Sequence, residues 1–305
     1  MKTISRLEKF ALIAVIMAVV CVCVPAQNAS AATTADVMSV VDESGSMSGE
    51  HAWLGTMMTT LDTALIAAGV TGNQYGLTGF GGHVASDVPH KHVVGAGDWG
   101  TAAQYSTATG GLATSGGFED GWNGIDYAQN NYSYRGSAAR NMILVTDEDR
   151  DTQNGALSYA GVLSSLTSTN TLLNAVVNST FTFDGDALIG ITSTHGYKAD
   201  GSGGYTSHLL SSGTLTIGGF GTTEADYVDL AIASGGAAWD LNILRSGGNS
   251  ATSFTTAFID IKVEEIVVQP PSVVPEPTTV ALLGIGLVGL AGAEVRRRRK
   301  KKIVG

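Results

Sequence analysis

Apolar and polar positions along the chain fall into short alternating blocks. "ADVMSVV" (35–41) is a continuous apolar run of strand length that stops abruptly at Asp42. Residues 50–69 then place Leu54, Met57, Met58, Leu61, Leu65 and Ile66 at helical spacing, with Gly69 as the stop. The same reasoning predicts strands over 74–80, 141–146 and 171–178, and a short one at 189–192. It predicts helices over 119–130, 155–168 and 251–268. Residues 225–244 open as a helix and turn at Gly235-Gly236. Stretches 95–117 and 193–224 are rich in Gly, Ser and Thr, lack apolar periodicity, and read as long surface loops. No internal repeat is visible.

Strands alternating with helices need crossover connections. The expected fold class is therefore α/β, a doubly wound, mostly parallel central sheet flanked by helices. Ligands of such sheets bind beyond the carboxyl ends of the strands. Asp42 follows the first strand and Asp147 follows "NMILVT" (141–146), so two strands deliver a carboxylate to one edge. Glu119 and Asp120 open the 119–130 helix, where acids suit the N-terminus.

The two ends of the chain differ from its middle. Lys2, Arg6 and Lys9 precede an apolar run from Phe10 to Val24 and the small-residue stretch "AQNASAA". Residues 1–31 read as a secretory signal peptide, to be cut by signal peptidase. At the other end, residues 269–305, which include "VVPEPTTVALLGIGLVGLAGAEVRRRRKKK" (273–302), divide into a Pro-rich linker (269–277), an apolar segment (278–295) and a basic tail (296–305). An apolar helix of about 16 residues spans about 24 Å, somewhat short of a ~30 Å hydrocarbon core. The positive-inside rule keeps the basic tail in the cytoplasm and places residues 32–272 outside. The plain reading is a permanent single-span anchor. The order Pro-Glu-Pro, apolar helix and Arg-rich cluster resembles the PEP-CTERM sorting signal of Gram-negative bacteria. That resemblance implies handling by an exosortase, an inner-membrane intermediate, and a final place at the cell surface or in an exopolysaccharide matrix.

Charge sharpens this division. The whole chain carries a formal net charge of −10, although its first 31 residues and the stretch after Pro277 are both net positive. The middle is therefore more acidic than the whole, which excludes nucleic acid as a likely partner class and suits cations. Both cysteines, Cys21 and Cys23, lie in the N-terminal apolar run. The span after it has no thiol for a disulfide, a thiolate nucleophile or cysteine-bound zinc.

The stretch "VVDESGSMSGE" (40–50) carries the chemistry. Asp-x-Ser-x-Ser at Asp42, Ser44 and Ser46, with Asp147 after a later strand, resembles the metal-ion-dependent adhesion site of von Willebrand factor type A domains. The resemblance runs over residues 32–268 and includes the strand–helix order and "ILVTDE". It implies a hard divalent cation, Mg2+ or alternatively Mn2+ or Ca2+, held by hydroxyls and carboxylates with some waters retained. It also implies capture of a protein or exopolysaccharide partner through a further oxygen on that ion. The family usually supplies a Thr from a second loop. The matching loop here, "TSGGFEDG" (114–121), has Thr114 and Ser115 before its glycines and none after, so Glu119 or Asp120 is the candidate stand-in. Read without the resemblance, the Asp-Ser-Gly segment is a turn whose Ser46 or Ser48 caps the next helix.

Other signals are weaker. "DEDRD" (147–151) lacks the order of a calcium loop. His90 and His92 fall on one side of an extended segment and suit either a transition-metal pair or plain loop histidines. Trp53, Trp122 and Trp239 read as packing residues or as sugar-stacking platforms. No nucleophile–base pair is visible, so no enzymatic activity is expected. The leading expectation is an exported metal-dependent binding module. The alternative is a structural matrix protein whose metal only stabilises the fold.

Overall fold

The computed structural model describes residues 32–82 and 87–270. The segment expected to be a signal peptide (1–31), the Pro-Glu-Pro segment, the apolar segment (278–295) and the basic tail (296–305) lie outside the described residues. Among the described residues, no helix is long and apolar enough to cross a membrane.

The chain forms a nine-stranded sheet with helices on both faces. In chain order its strands are β1 (Ala35–Asp42), β2 (Gln74–Phe80), β3 (His90–His92), β4 (Ala139–Thr146), β5 (Thr171–Val177), β8 (Gly190–Ile191), β9 (His195–Ala199), β10 (Tyr205–Leu209) and β12 (Ala237–Asp240). Between β5 and β8, β6 (Ser179–Phe183) and β7 (Asp186–Leu188) leave the main sheet and pair with β11 (Leu215–Gly219) in a separate three-stranded antiparallel sheet. The main order is β10-β9-β8-β12-β5-β4-β1-β2-β3. The pairings β12–β5–β4–β1–β2 are parallel. β3 on one flank and β8, β9 and β10 on the other are antiparallel.

Side chains of the central strands alternate between two cores, as the two-residue repeat of a strand requires. Val37 and Val41 of β1 pack with Leu54, Met57, Met58 and Leu61 of α1 (Ser48–Ala67), together with Tyr105 of α2 (Ala102–Ala108). Met38 and Val40 point the other way, toward Trp122 and Ile125 of α3 (Gly121–Asn131) and Val162 and Leu166 of α4 (Tyr159–Ser168). The remaining helices are α5 (Asp229–Ala233), α6 (Leu241–Arg245) and the closing α7 (Gly248–Val268). Gly69 ends α1 as expected. At φ +87° it is left-handed, and its amide and that of Val70 close back onto Ile66 and Leu65.

Four expectations are corrected. The sheet is parallel only in its five central strands, because β3 folds back antiparallel on β2 at one flank and the excursion from β5 to β12 returns as antiparallel strands at the other. The 193–224 "loop" supplies β9, β10 and β11, whose Ser- and Thr-rich, half-exposed strands carry little apolar signal. The "turn" after Gly235-Gly236 is the buried strand β12. The 95–117 stretch also contains α2, opened by a capping box in which Thr101 and Gln104 bond each other's amides.

Asp240 ends β12 and accepts the Asn242 amide at 2.8 Å, capping α6. Burial pushes its carboxyl up to about 6, against the lowering effect of that amide. An unfolded Asp titrates near about 3.9. Between those values the unfolded chain releases the proton first, so Asp240 withdraws stability as pH rises toward 6. Asp240→Asn keeps a capping acceptor and removes the charge. Urea unfolding should find it more stable than the parent at pH 7, by about 2 kcal/mol or less, with the gain absent near pH 4.

Candidate metal centre

The site grows from the carboxyl ends of adjacent parallel strands. Val41 of β1 lies opposite Val145 of β4, so Asp42 ends beside Thr146. The Thr146 hydroxyl donates to Asp42 Oδ2 at 2.8 Å, and the Ser44 amide donates to Asp42 Oδ1 at 2.7 Å. The β1–α1 turn is held from behind by His51, whose Nε2 lies 2.8 Å from the Asp42 carbonyl. This turn carries Ser44 and Ser46 toward Asp147. Their hydroxyls are 3.1 Å apart, and Ser46 donates to Asp147 Oδ1 at 2.9 Å. Asp42, Ser44 and Asp147 are buried, whereas Gly45 and Ser46 face solvent.

Neither serine caps α1. The cap position is Met47, which offers no side-chain acceptor. The hydroxyls of Ser44 and Ser46 are turned toward each other and toward Asp147 instead.

Glu119 joins this cluster and Asp120 does not. A Cβ on Gly81, which adopts φ +74°, would lie 3.1 Å from Glu119 Cγ and 3.2 Å from Asp42 Oδ1, so the two acids flank the same glycine. Asp120 has turned away to cap α3. It pairs with Arg150 (Nε–Oδ1 2.7 Å) and accepts the amides of Asn123, Gln153 and Asn154. Both its oxygens are engaged in pinning the loop after β4 to α3. Arg150 in turn lies 4.1 Å over the Trp122 ring.

The electrostatics favour a cation. Burial raises the Asp42 carboxyl to about 6, even against the bonds from Ser44 and Thr146, and Asp147 adds to the rise. Burial, then Asp42, Asp151 and Glu148, take Glu119 up to about 8. Glu148 is also raised, by burial and by Asp147, Asp149 and Asp151. Arg245 of α6 meets this acidic edge, reaching Asp147 Oδ2 at 2.8 Å, Glu50 at 2.6 Å and the Ser46 carbonyl at 3.3 Å.

The donor set fits a hard dication. Two neutral hydroxyls and two or three carboxylates supply oxygens without nitrogen or sulfur. Asp42, Ser44, Ser46 and Asp147 are the residues that would hold one, with Glu119 at the rim. In place of a second-loop Thr, residues 113–116 run beside the β1–α1 turn. The Ser115 amide bonds the Glu43 carbonyl, and the Thr114 carbonyl faces Gly45. Sequence reasoning missed Thr146 and Arg245. Thr146 was legible as the hydroxyl beside Asp147, but nothing in the sequence signals an Arg so far along the chain.

Residues 273–299 match the PEP-CTERM protein-sorting motif, which indicates an exported, surface-sorted protein. No curated protein matches the chain. Solved structures similar to the chain include a von Willebrand factor type A structure. Proximal thread matrix protein 1 from the mussel byssus, in a structure with a zinc-occupied MIDAS motif, is 21% identical. The match covers 49% of this chain and 37% of that one, with a TM-score of 0.36. A von Willebrand factor type A structure from Catenulispora acidiphila is 19% identical over 48% of this chain and 33% of that one, at 0.34. BatB, a conserved hypothetical protein from Bacteroides thetaiotaomicron, is 12% identical over 76% and 99%, at 0.42. The chain spans little more than a third of the mussel protein it matches. Superpositions this loose carry no weight for function, which rests on strand order and donor geometry.

Asp120 and the cluster acids should separate experimentally. Asp120→Asn leaves Arg150 buried against half its partners and should lose about 3 kcal/mol in urea unfolding. Metal-induced stabilisation should persist in that variant wherever it remains folded.

Proposed function

We propose that this protein is an exported, surface-sorted, non-catalytic binding module that engages its partner through a divalent cation. The observation that carries the reading is the convergence of Asp42 and Asp147, from the ends of adjacent parallel strands, on the paired hydroxyls of Ser44 and Ser46. The preferred ion is Mg2+, with Mn2+ and Ca2+ as alternatives. When bound, such an ion supplies an electrophilic position for one oxygen of a partner. The chain's own residues do the rest. Thr146 and the Ser44 amide hold Asp42 in place, His51 fixes the turn, and the exposed Gly45–Ser46 edge leaves room for an approaching group. An acidic protein side chain or an exopolysaccharide oxygen is the proposed ligand. The PEP-CTERM match supports exosortase as the processing partner.

Arg245 acts as counter-ion to Asp147 on the flank of the site. Its charge balances a carboxylate, and it holds α6 against the start of α1 through Glu50.

The test is thermal stability of the purified protein in Mg2+, Mn2+ and Ca2+, beside Ser44→Ala/Ser46→Ala. The parent should gain about 2.7 kcal/mol at a hundredfold excess of ion over Kd, and the variant should gain little. Retention of the parent by an exopolysaccharide or protein matrix should then be abolished by chelator. A thermal shift without metal-dependent retention would instead favour the structural matrix role, in which the ion only stiffens the fold. No shift in either protein would sink both readings.

A further inference from the structure

A second, chemically different cluster lies one residue past Asp42. Glu43 N–H donates to the Phe80 carbonyl at 2.8 Å, and the Glu43 side chain turns toward β3 rather than toward the serines. Its carboxylate is fully buried. Oε2 lies 3.0 Å from His90 Nε2 and Oε1 lies 3.1 Å from His92 Nε2. His90 and His92 stand two residues apart on a strand, so both rings project to one side, with centroids 4.9 Å apart. One donor atom from each of the three residues lies within 4.8 Å of the others.

The surroundings are shaped for this group. β3 pairs with β2 so that His90 faces Gly79. A Cβ on Gly79 would lie 2.1 Å from Glu43 Oε2 and 2.8 Å from His92 Nε2, and one on Gly82 would lie 2.8 Å from Glu43 Cβ. Glycine inside a strand weakens it, and here it admits a carboxylate and an imidazole. The Ala113 amide donates to Glu43 Oε1 and orients the carboxylate. Glu43 Oε2 is buried with no well-aligned hydrogen bond, although His90 Nε2 is close. His90 Nδ1 lies 3.3 Å from the Val88 carbonyl. A carbonyl only accepts, so Nδ1–H donates to Val88 and Nε2 is the ring atom turned to Glu43, the orientation that outer-shell carbonyls impose on metal-bound histidines. His90 and His92 keep 21% and 14% of their side chains exposed, so the group opens to solvent on one side.

We propose that Glu43, His90 and His92 form a binding site for a late first-row divalent transition metal, of which Zn2+ is the representative. Two imidazoles and one carboxylate are the ligands such an ion prefers, whereas Mg2+ selects oxygen. With one donor atom from each residue within 4.8 Å of the others, small side-chain rotations would close the three on an ion bound at about 2.0–2.1 Å. Water occupies the solvent-facing positions. The site is separate from the oxygen-lined cluster and does not depend on the function proposed for it. Asp42 and Glu43 belong to one dipeptide whose side chains serve opposite sides of the strand end.

The experiment is a Zn2+ titration of the purified full chain against a chromophoric chelator. His90→Ala/His92→Ala should weaken zinc binding by more than the ~100-fold that loss of an outer partner costs. Ser44→Ala/Ser46→Ala should leave one equivalent bound as tightly as in the parent. Zinc-edge X-ray absorption of the loaded parent should show two imidazoles, a readout that needs no folded variant. An oxygen-only shell, or unchanged affinity in the histidine variant, would show that Glu43 merely forms an ion pair with the two rings and would overturn the proposal.

Discussion

Asp42 is a carboxylate taken wholly out of water at the end of the central strand, and the local architecture is organised around keeping it there. Burying a charge is costly unless it is hydrogen-bonded or paired. Two short bonds, from the Thr146 hydroxyl and the Ser44 amide, fix both oxygens. The first requires β4 to lie in register beside β1, and the second requires the chain to turn immediately after Asp42. The turn then dictates where the serines go, where α1 begins, and how close residues 113–116 approach. Asp42 therefore links strand register to donor geometry.

The same edge is strongly acidic, and the molecule answers this in two ways. Arg245 neutralises Asp147 and Glu50 from the flank, and Arg150 neutralises Asp120 beneath. Asp42 and Glu119 are left with one another and with further acids as neighbours. Burial first, and then these charges, raise both carboxyls. A cation beside them would favour the ionised forms that burial and like charge disfavour.

Much of this was legible from the sequence, and the exceptions have physical reasons. β2 matches its expected span because seven residues bounded by turn signals define a buried strand. β12 was missed because it is four residues long and follows two glycines. The strands of the insertion were missed because they are half-exposed and built from Ser, Thr and Gly, so neither face is marked apolar. The pair Glu119 and Asp120 is indistinguishable in sequence. What separates them is Arg150, which takes one and leaves the other. Glu43 was hidden because it stands inside a motif whose recognised positions are its neighbours, and because its histidines are more than forty residues away and come beside it only through the pairing of β3 with β2.

The excursion from β5 to β12 bears on the order in which the molecule assembles. Asn174 and Ala237, which bond across the β5–β12 pair, are 63 residues apart in the chain. Loop-closure entropy grows only slowly with length, by about 0.6 kcal/mol per doubling, so the final state tolerates such an insertion. Folding rate is more sensitive to contacts this distant. Every oxygen donor of the acidic cluster lies before residue 148, on strands that can pair without the insertion. Arg245, which meets Asp147, lies beyond the insertion, on the helix that follows β12. The oxygen donors and their built-in counter-charge thus come from opposite sides of a long insertion, so the charge balance of the site depends on the docking of β12 and α6.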